Sequence, residues 1–539
     1  MPSFPIRRLG VLAVAAALVT LAGCSAPTES DPAAEGTKDT SLTMAWATVP
    51  SQLDPMVYTG NTVVYATDAT LSGLLEYDYS KAQEGRVIAV DEVVPGLAES
   101  FESNDDRTQF TFKLREGVKS QYGNEMTADD VVWTFERFLS NPTSIQANSL
   151  MAPANVDAKN PIEKIDEYTV RYNLTAPSSI SLSILAYPLM GILDSTELKT
   201  HATEADPYAG EWLASNSAGF GPYMLDSFSP GEEIRLTQNP NYWDTKPFFE
   251  NVLIKGVPDG ASRAQLLMAG EVDLISEPPI DQLKKIEESE TAKVNVQPDA
   301  NRHNFNLSMK DPDLQKPDVR RAISMAIDRE TLAQSIYQGY AKPAWTAVPS
   351  NMLADQEPMI EYNPEEAKKL LATAGYPQGL QFEIAISSER PGPYAENIAR
   401  LIQSDLKEIG VEVTIRNIPS PADFEADVTS QSLQAYLYTD RPSQPDPGFS
   451  MYLYNASTST LNKAGFANAE FDTLVAQTLK LDKGEERDAI VDEALQMLRH
   501  YQPILSLIEM PDITGEASDL QGRIGIPSGG FPYANLSRG

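Results

Sequence analysis

The sequence predicts an α/β protein with mixed sheets, divided into two or three domains. Strand and helix patterns interleave along the chain, and no internal repeat is detectable. This alternation is typical of helices that pack on sheets. The chain has 539 residues, of which 42% are hydrophobic, so it can bury a large core. A chain of this length usually exceeds what a single core organises.

The first patterned segment begins near Leu42. Leu42, Met44 and Trp46 alternate with polar or small residues, which is typical of a strand. The stretch 110–114 alternates in the same way and is followed by glycine-marked turns. Thr127 can then cap a helix whose first turn is acidic. The apolar side of that helix consists of Val131, Val132, Phe135 and Phe138.

Two further units are predicted in the second half of the chain. Apolar residues recur at helical spacing over 398–409, Gly410 suits the left-handed residue that ends a helix, and 411–415 alternates as a strand. Another helix begins at Asn363-Pro364, with a cap residue and a proline in its first turn, and ends at Gly375.

Residues 1–23 resemble the signal peptide of a bacterial lipoprotein. Two arginines precede the uncharged stretch Leu9–Thr20, and small residues lead directly to Cys24. We expect removal of this leader, acylation of Cys24, and attachment of the protein to the outer face of the cell membrane. Residues 24–40 lack large apolar side chains and are predicted to be a flexible lipidated stalk. The alternative is an ordinary cleaved leader with a chance cysteine.

Composition excludes several kinds of site. Cys24 is the only cysteine, so once it carries lipid the chain has no disulfide, cysteine-bound zinc or thiol nucleophile. His201, His303 and His500 lie about a hundred or more residues apart, which does not match a helical metalloprotease motif. No Gly-x-Ser-x-Gly is present, and Gly219-Phe220-Gly221 lacks the remaining features of a dinucleotide site. These patterns favour a protein without enzymatic activity, cofactor or metal. The alternative that they leave open is an exported hydrolase on an unrelated fold, such as a glycosidase.

The formal net charge of −34 disfavours nucleic acid as a partner, because binding phosphates requires clustered Lys and Arg. Such an acidic surface can steer cationic ligands toward a protein, or can simply keep it soluble.

Short motifs occur in a fixed order between residues 42 and 510. They are Leu53-Asp54-Pro55, Leu71-Ser72-Gly73-Leu74-Leu75, Pro95 to Phe101, Phe110 to Lys119, Tyr122 to Val131, Gly219 to Tyr223, Asn239 to Trp243, Gly270 to Asp273, Val319 to Arg329 and Tyr501 to Ile504. The run from Tyr122 to Val131 is the most specific of them. As an ordered set, the motifs resemble the peptide/nickel class of extracellular solute-binding proteins, family 5, which serve ABC transporters.

The resemblance implies two α/β lobes of the class II periplasmic-binding-protein type, with an additional inserted subdomain. Lobe I would combine residues 41–77, 210–304 and 506–539, the inserted subdomain would cover 78–209, and lobe II would cover 305–505. Such lobes close around a ligand, and a permease can sense the closed state. We expect a periplasmic or otherwise extracytoplasmic monomer whose partner is the permease of an ABC importer.

The resemblance also implies an anchor for the α-ammonium group of a peptide. In peptide-binding relatives, an Asp shortly before an acidic-Pro pair has this role, and the corresponding stretch here runs from Tyr438 to Pro447. Asp440 is the first candidate and Asp446 the second. Five residues separate Asp440 from the acidic-Pro pair, where the family usually has two. The alternative is a solvated, proline-rich loop.

Arg390, in Arg390-Pro391-Gly392-Pro393-Tyr394, resembles the arginine with which dipeptide-binding relatives hold the terminal carboxylate. Its planar fork can donate two parallel hydrogen bonds to a carboxylate. The alternative is that Arg390 pairs with Glu389 or a surface acid. Three aromatic side chains near the expected cleft complete the candidate ligand contacts: Tyr438, Trp345 and Phe449.

The expected function is therefore capture of short peptides between two lobes and their delivery to an ABC importer. The alternative is the same fold with another solute, such as a nickel chelate, an opine, a glycan or another small metabolite.

Overall fold

In the computed structural model, the described residues are 40–57, 61–81, 90–141, 144–353, 358, 360–388, 390–526 and 531–539. The signal peptide predicted at 1–23, the lipidation site Cys24 and the stalk up to residue 39 lie outside them. Residues Thr40–Gly539 form a single unit. Within the described part of the chain, no helix combines the length and the apolar character needed to cross a membrane.

The described strands, in chain order, are β1 (Ser41–Trp46), β2 (Leu75–Tyr77), β3 (Val93–Pro95), β4 (Ala98–Ser103), β5 (Gln109–Leu114), β6 (Ile162–Asp166), β7 (Thr169–Asn173), β8 (Tyr223–Ser229), β9 (Glu233–Gln238), β10 (Asn251–Gly256), β11 (Leu274–Ser276), β12 (Ala292–Leu307), β13 (Lys342–Pro343), β14 (Leu380–Ile386), β15 (Val411–Asn417), β16 (Ala435–Asp440), β17 (Ile504–Ala517), β18 (Leu520–Gln521) and β19 (Ser537–Arg538).

The α-helices of the same residues are α1 (Asn61–Thr70), α2 (Ala128–Ser140), α3 (Ser195–His201), α4 (Gly210–Leu213), α5 (Gly260–Met268), α6 (Ile280–Glu287), α7 (Pro317–Ala326), α8 (Arg329–Tyr337), α9 (Pro364–Thr373), α10 (Ala395–Glu408), α11 (Pro421–Ser430), α12 (Pro447–Asn455), α13 (Ala469–Thr478) and α14 (Glu485–Tyr501). Short helical turns of other types occur between them.

Eleven of the described strands form one mixed sheet. Their order is β15-β14-β16-β12-β17-β11-β1-β10-β9-β8, and β13 pairs with β17 beside this path. β1 runs parallel to both of its neighbours, β10 and β11, and β14 runs parallel to β15 and β16. The predicted α/β class with mixed sheets is therefore confirmed.

The long antiparallel strands β12 and β17 join the two halves of this sheet. β11 pairs with β17 at Thr514–Glu516, whereas β16 pairs with β12 at Arg302–Leu307. The register of β12 against β17 shifts between Gln297 and Asn301, and a shift of this kind bends the strand locally. The irregular segment therefore lies between the two halves, beside the site described below.

Opposite faces of β12 and β16 have different chemistry. Phe305 and Leu307 of β12 and Leu437 of β16 lie in a buried apolar cluster that includes side chains of α7, α8 and α10. The other face is polar along β12 and is partly covered by Phe424 and Val428 of α11. Successive side chains of a strand point to opposite faces. The polar side chains of β12 therefore lie in one row on the face opposite the apolar cluster.

A second sheet, β4-β5-β7-β6, is entirely antiparallel. The helix predicted next to its β5 strand is α2, which begins after Thr127. The Thr127 side chain accepts a hydrogen bond from the Asp129 backbone, and the Asp130 carboxylate accepts one from the Thr127 backbone. This reciprocal capping fixes the start of the helix.

The other predicted units also form. Helix α10 precedes β15, and Gly410 between them has a φ of +85°. Asn363 caps α9 by accepting a hydrogen bond from Glu366 at 3.0 Å, and Gly375 follows that helix with a φ of +104°. Both glycines therefore adopt the left-handed conformation that the sequence predicts.

Candidate functional site

Antiparallel pairing of β12 with β16 brings six polar side chains onto one face of the large sheet. Directly opposed residues of two strands point to the same face. The opposed pairs are Arg302 with Asp440, Asn304 with Tyr438, and Asn306 with Tyr436. We call these six residues the polar row.

Asp440 lies at the end of the polar row and is almost completely buried, with 5% of its surface exposed. Asn304 donates a hydrogen bond from Nδ2 to Asp440 Oδ2 at 2.6 Å. The Arg302 guanidinium lies 3.9 Å from the same oxygen. No other described residue donates a hydrogen bond to this carboxylate. One of its oxygens is therefore available to a ligand.

Burial raises the pKa of Asp440 to about 6, although Arg302, Arg390 and the hydrogen bond from Asn304 act in the opposite direction. The carboxyl group is thus ionised at neutral pH, but its charge is incompletely compensated. A buried carboxylate of this kind gains strongly from an incoming cation.

Arg390 contacts Tyr438, which lies two residues before Asp440 on β16. Its Nη1 donates a hydrogen bond to the Tyr438 hydroxyl at 2.8 Å, and the guanidinium carbon is 5.2 Å from the centre of the tyrosine ring. The Arg390 side chain is 41% exposed and lies 3.6 Å from Glu425 of α11. Glu425 also accepts a hydrogen bond from the Tyr438 hydroxyl at 3.0 Å. Of the partners considered for Arg390, Glu389 lies outside the described residues.

The site therefore presents a buried carboxylate near a guanidinium that contacts Tyr438. Arg390 lowers the pKa of Asp440, which places the two charges within range of each other. Such a pair of opposite charges complements a small ligand that carries both an ammonium and a carboxylate.

Arg441 follows Asp440 and connects the site to the irregular segment of β12. Its Nε donates a hydrogen bond to Asp299 at 3.0 Å. Burial alone lowers the pKa of Arg441, but Asp299, Tyr65 and Asp512 reverse this effect and raise it. Tyr65 belongs to α1, and Asp512 belongs to β17. Residues distant in sequence thus meet where the two halves of the sheet adjoin.

Asp446 lies outside this arrangement. It caps α12 by accepting a hydrogen bond from the Phe449 backbone at 2.8 Å. Its other oxygen forms an ion pair with Arg487, and both side chains are nearly inaccessible to solvent. The Phe449 side chain is fully buried in an apolar cluster with Leu453. The structure therefore gives both residues a structural environment, and their ligand roles remain predictions.

Trp345 is half-buried beside Arg329, whose guanidinium carbon lies 6.0 Å from its ring. Arg329 is held in turn by the backbone oxygen of Ser506 at 2.7 Å. Of the six ligand residues predicted from the sequence, the structure thus brings together Asp440, Arg390 and Tyr438. The ligand role of Trp345 also remains a prediction.

Sequence reasoning missed Arg302, Asn304 and Asn306. The signal was present, because these polar residues alternate with His303, Phe305 and Leu307 in a period of two. That pattern identifies a strand with one polar face, but it does not say which strand lies beside it. Among the described residues, no cluster of three or more His, Cys, Asp or Glu side chains could hold a metal ion.

Comparison with known sequences decides the family. The sequence model "Bacterial extracellular solute-binding proteins, family 5 Middle" matches residues 92–462, which is more than half of the chain. The chain belongs to this family. It is accordingly a solute-binding protein of the ABC importer type, as its motifs implied.

Two relatives show how far this similarity extends. The chain is 29% identical to the peptide transport periplasmic protein SapA of Salmonella typhimurium, over 87% of this chain and 88% of the relative. It is 26% identical to heme-binding protein A of Haemophilus influenzae, over 98% of each chain. Both are named as binding or transport proteins and not as enzymes.

The fold is shared with a solved structure of the periplasmic binding protein DppA from Helicobacter pylori in complex with the peptide STSA. The TM-score is 0.80 at 23% sequence identity, with 92% of this chain and 98% of the other covered. This likeness confirms the two-lobed binding-protein fold for this family 5 member.

Proposed function

We propose that this family 5 protein captures short peptides outside the cytoplasm and delivers them to the permease of an ABC importer, without catalysing a reaction. In this proposal Cys24 carries a lipid that holds the monomer at the outer face of the cell membrane. The observation that supports a peptide ligand most strongly is that the buried Asp440 carboxylate lies within electrostatic range of the Arg390 guanidinium, which binds Tyr438.

The available oxygen of Asp440 would accept hydrogen bonds from the α-ammonium group of the peptide. Its partners Asn304 and Arg302 hold the carboxylate in place, so little entropy is lost when the ligand binds. A charge-assisted hydrogen bond contributes about 1.5 to 3 kcal/mol. The ammonium would therefore supply a large part of the affinity.

Arg390 would bind the carboxylate at the other end of the ligand. In the ligand-free protein it contacts Glu425 through a long, half-exposed ion pair of 3.6 Å, which is a weak interaction. A peptide carboxylate can form a bidentate pair with the same guanidinium and displace this contact. Exchange of one carboxylate for another costs little, so Arg390 is suited to reversible capture.

We further propose that lobe I consists of residues 41–77, 210–304 and 506–539, the inserted subdomain of 78–209, and lobe II of 305–505. The long strands β12 and β17 join the two halves of the sheet, and they would act as the hinge. The shift of register near Asn301 supports this role, because a locally disrupted ladder bends more readily.

Peptide affinity is expected to decrease as the pH falls through 6. The pKa of Asp440 in the ligand-free protein is about 6, so lowering the pH protonates the carboxylate that binds the ammonium. Between pH 7 and pH 5 we expect a decrease in affinity of about tenfold. Peptide termini keep their charges in that range, because their reference pKa values are about 3.5 and about 8.

Isothermal titration at several pH values measures this dependence. The residual affinity of an Asp440→Asn variant serves as the control and should hardly change over the same range. A wild-type affinity that stays constant from pH 7 to pH 5 would contradict the role of Asp440.

Replacing Arg390 with Gln is expected to weaken binding of a free dipeptide or tripeptide about tenfold, because one charge-assisted contact is lost. The same change should hardly affect a peptide whose C-terminus is amidated. Titration of the free and the amidated peptide with the wild-type protein and with Arg390→Gln measures the contribution of the contact between Arg390 and the peptide carboxylate.

The matched control is Arg400→Gln. Arg400 is an exposed residue of α10 that pairs with Glu396, 2.5 Å away, on the same helix. If Arg390→Gln weakens free and amidated peptides equally, the carboxylate contact is assigned to the wrong residue.

A further inference from the structure

The polar row contains four buried polar atoms that have no hydrogen-bond partner among the described residues. They are Arg302 Nε, Asn304 Oδ1, Asn306 Nδ2 and the Tyr436 hydroxyl. The four side chains are between 0% and 3% exposed. Buried polar groups are nearly always paired, so four unpaired groups on one sheet face require a specific explanation.

The strand register brings these groups together beside the ammonium anchor. Asn304 and Asn306 are two residues apart on β12 and therefore point to the same face. Tyr436 lies directly opposite Asn306. Asn304 also binds Asp440 with its amide nitrogen, so its unpaired oxygen lies within the anchor. Burial raises the pKa of Tyr436, and the charge of Asp440 adds to this effect, which indicates that the phenol lies near the carboxylate.

The four atoms combine two kinds of hydrogen-bonding capacity. Asn304 Oδ1 is an acceptor, Asn306 Nδ2 and Arg302 Nε are donors, and the Tyr436 hydroxyl can be either. A carboxamide offers an acceptor oxygen and two donor hydrogens at its tip, so it can satisfy both kinds at once. An aliphatic side chain of the same size would leave these groups unpaired. It would also exclude water molecules that could form hydrogen bonds with them.

We propose that the unpaired groups of Arg302, Asn304, Asn306 and Tyr436 bind a carboxamide side chain, asparagine or glutamine, from the first residue of the bound peptide. This inference rests on the proposed function, because the ammonium at Asp440 is what places the first side chain over the polar row. Binding of this kind would make the protein prefer peptides whose first residue is asparagine or glutamine over peptides whose first residue is aliphatic.

The test uses Asn-Ala-Ala and Leu-Ala-Ala, whose first side chains are nearly equal in size and shape, together with the dipeptides Asn-Ala and Leu-Ala. Isothermal titration of the full chain is expected to show affinity about tenfold or more higher for the asparagine member of each pair. In the variants Tyr436→Phe and Asn306→Ala, the ratio of the two affinities should decrease about threefold or more.

Tyr172→Phe is the matched control. Tyr172 lies in β7 of the other sheet, and it is also a fully buried tyrosine with an unpaired hydroxyl. This variant should keep the wild-type preference.

The outcomes separate the inference from the proposed function. If asparagine and leucine peptides bind the wild-type protein equally, or if leucine peptides bind more tightly, the inference is overturned and the peptide function stands. A preference that Tyr436→Phe and Asn306→Ala both leave unchanged also overturns the inference. If the folded protein binds none of the four peptides, the proposed function fails and the inference fails with it.

Discussion

Asp440→Asn is expected to weaken binding of a short peptide about a hundredfold. The substitution keeps the size and shape of the side chain but removes the charge that faces the ligand ammonium. A charge-assisted hydrogen bond contributes about 1.5 to 3 kcal/mol, and the buried ammonium of the complex would also be left without a counter-ion. Isothermal titration of wild-type and variant with one peptide measures the difference.

The same substitution is not expected to destabilise the ligand-free protein. The pKa of Asp440 is raised to about 6 in the folded state, above the value of about 3.9 in an unfolded chain. The contribution of such a group to stability is complete below pH 3.9 and is lost as the pH rises through 6. At pH 7 its charge therefore opposes folding, and thermal unfolding should show an unchanged or higher midpoint for Asp440→Asn.

The control variant is Asp226→Asn, which makes the same chemical change at an exposed position of β8. It should change neither peptide affinity nor the unfolding midpoint. If Asp440→Asn binds peptides as tightly as the wild type, the ammonium is held elsewhere and the site is assigned incorrectly.

Asp446→Ala is expected to lower the free energy of unfolding by about 3 to 5 kcal/mol. Asp446 and Arg487 form an ion pair that is nearly inaccessible to solvent, and removal of one partner leaves the other charge buried and uncompensated. Arg487 retains a hydrogen bond from its Nε to the Thr478 backbone oxygen at 2.8 Å, but it loses its counter-ion. The variant also loses the cap of α12. Urea unfolding measures the change.

A double variant, Asp446→Leu with Arg487→Leu, provides the comparison. Because it removes both charges, its loss of stability should be smaller than that of Asp446→Ala, despite the larger change in composition. Asp446→Ala protein that remains folded should bind peptides within about threefold of the wild-type affinity. A large loss of affinity without a loss of stability would instead make Asp446 the ammonium anchor.

The fold class was accessible from sequence because its signals are local. The caps Thr127 and Asn363 and the left-handed residues Gly375 and Gly410 act within a few residues of the helices that they bound. Alternation in 411–415 likewise identified β15. None of these local patterns predicts the order of the strands in the sheet. The two-lobed arrangement therefore depended on the resemblance to a family, and the comparisons confirm it.

The choice between Asp440 and Asp446 shows where sequence reasoning ends. Both are acidic residues near prolines in one short stretch of the sequence, and their local patterns are similar. The structure separates them through residues far along the chain. Arg487 and the Phe449 backbone occupy the carboxylate of Asp446, whereas Asn304 occupies only one oxygen of Asp440.

The polar row illustrates the same limit. The alternation of Arg302, Asn304 and Asn306 with other residues is visible in the sequence. Their proximity to Asp440 depends on the register between strands that are more than a hundred residues apart in the chain. Register follows from packing and pairing of the complete sheet. Phe449 is a different case. From the sequence it is predicted to lie near the ligand cleft, whereas its side chain lies in the apolar core, where large aromatic side chains are commonly buried.

The most direct test of the central claim is native mass spectrometry of the full chain, purified without denaturation, to identify the solute that co-purifies with it. We predict short peptides with free α-ammonium groups, bound to wild-type protein and absent from the Asp440→Asn variant. A metal chelate, an opine, a sugar or another non-peptide solute that both proteins retain equally would contradict the account.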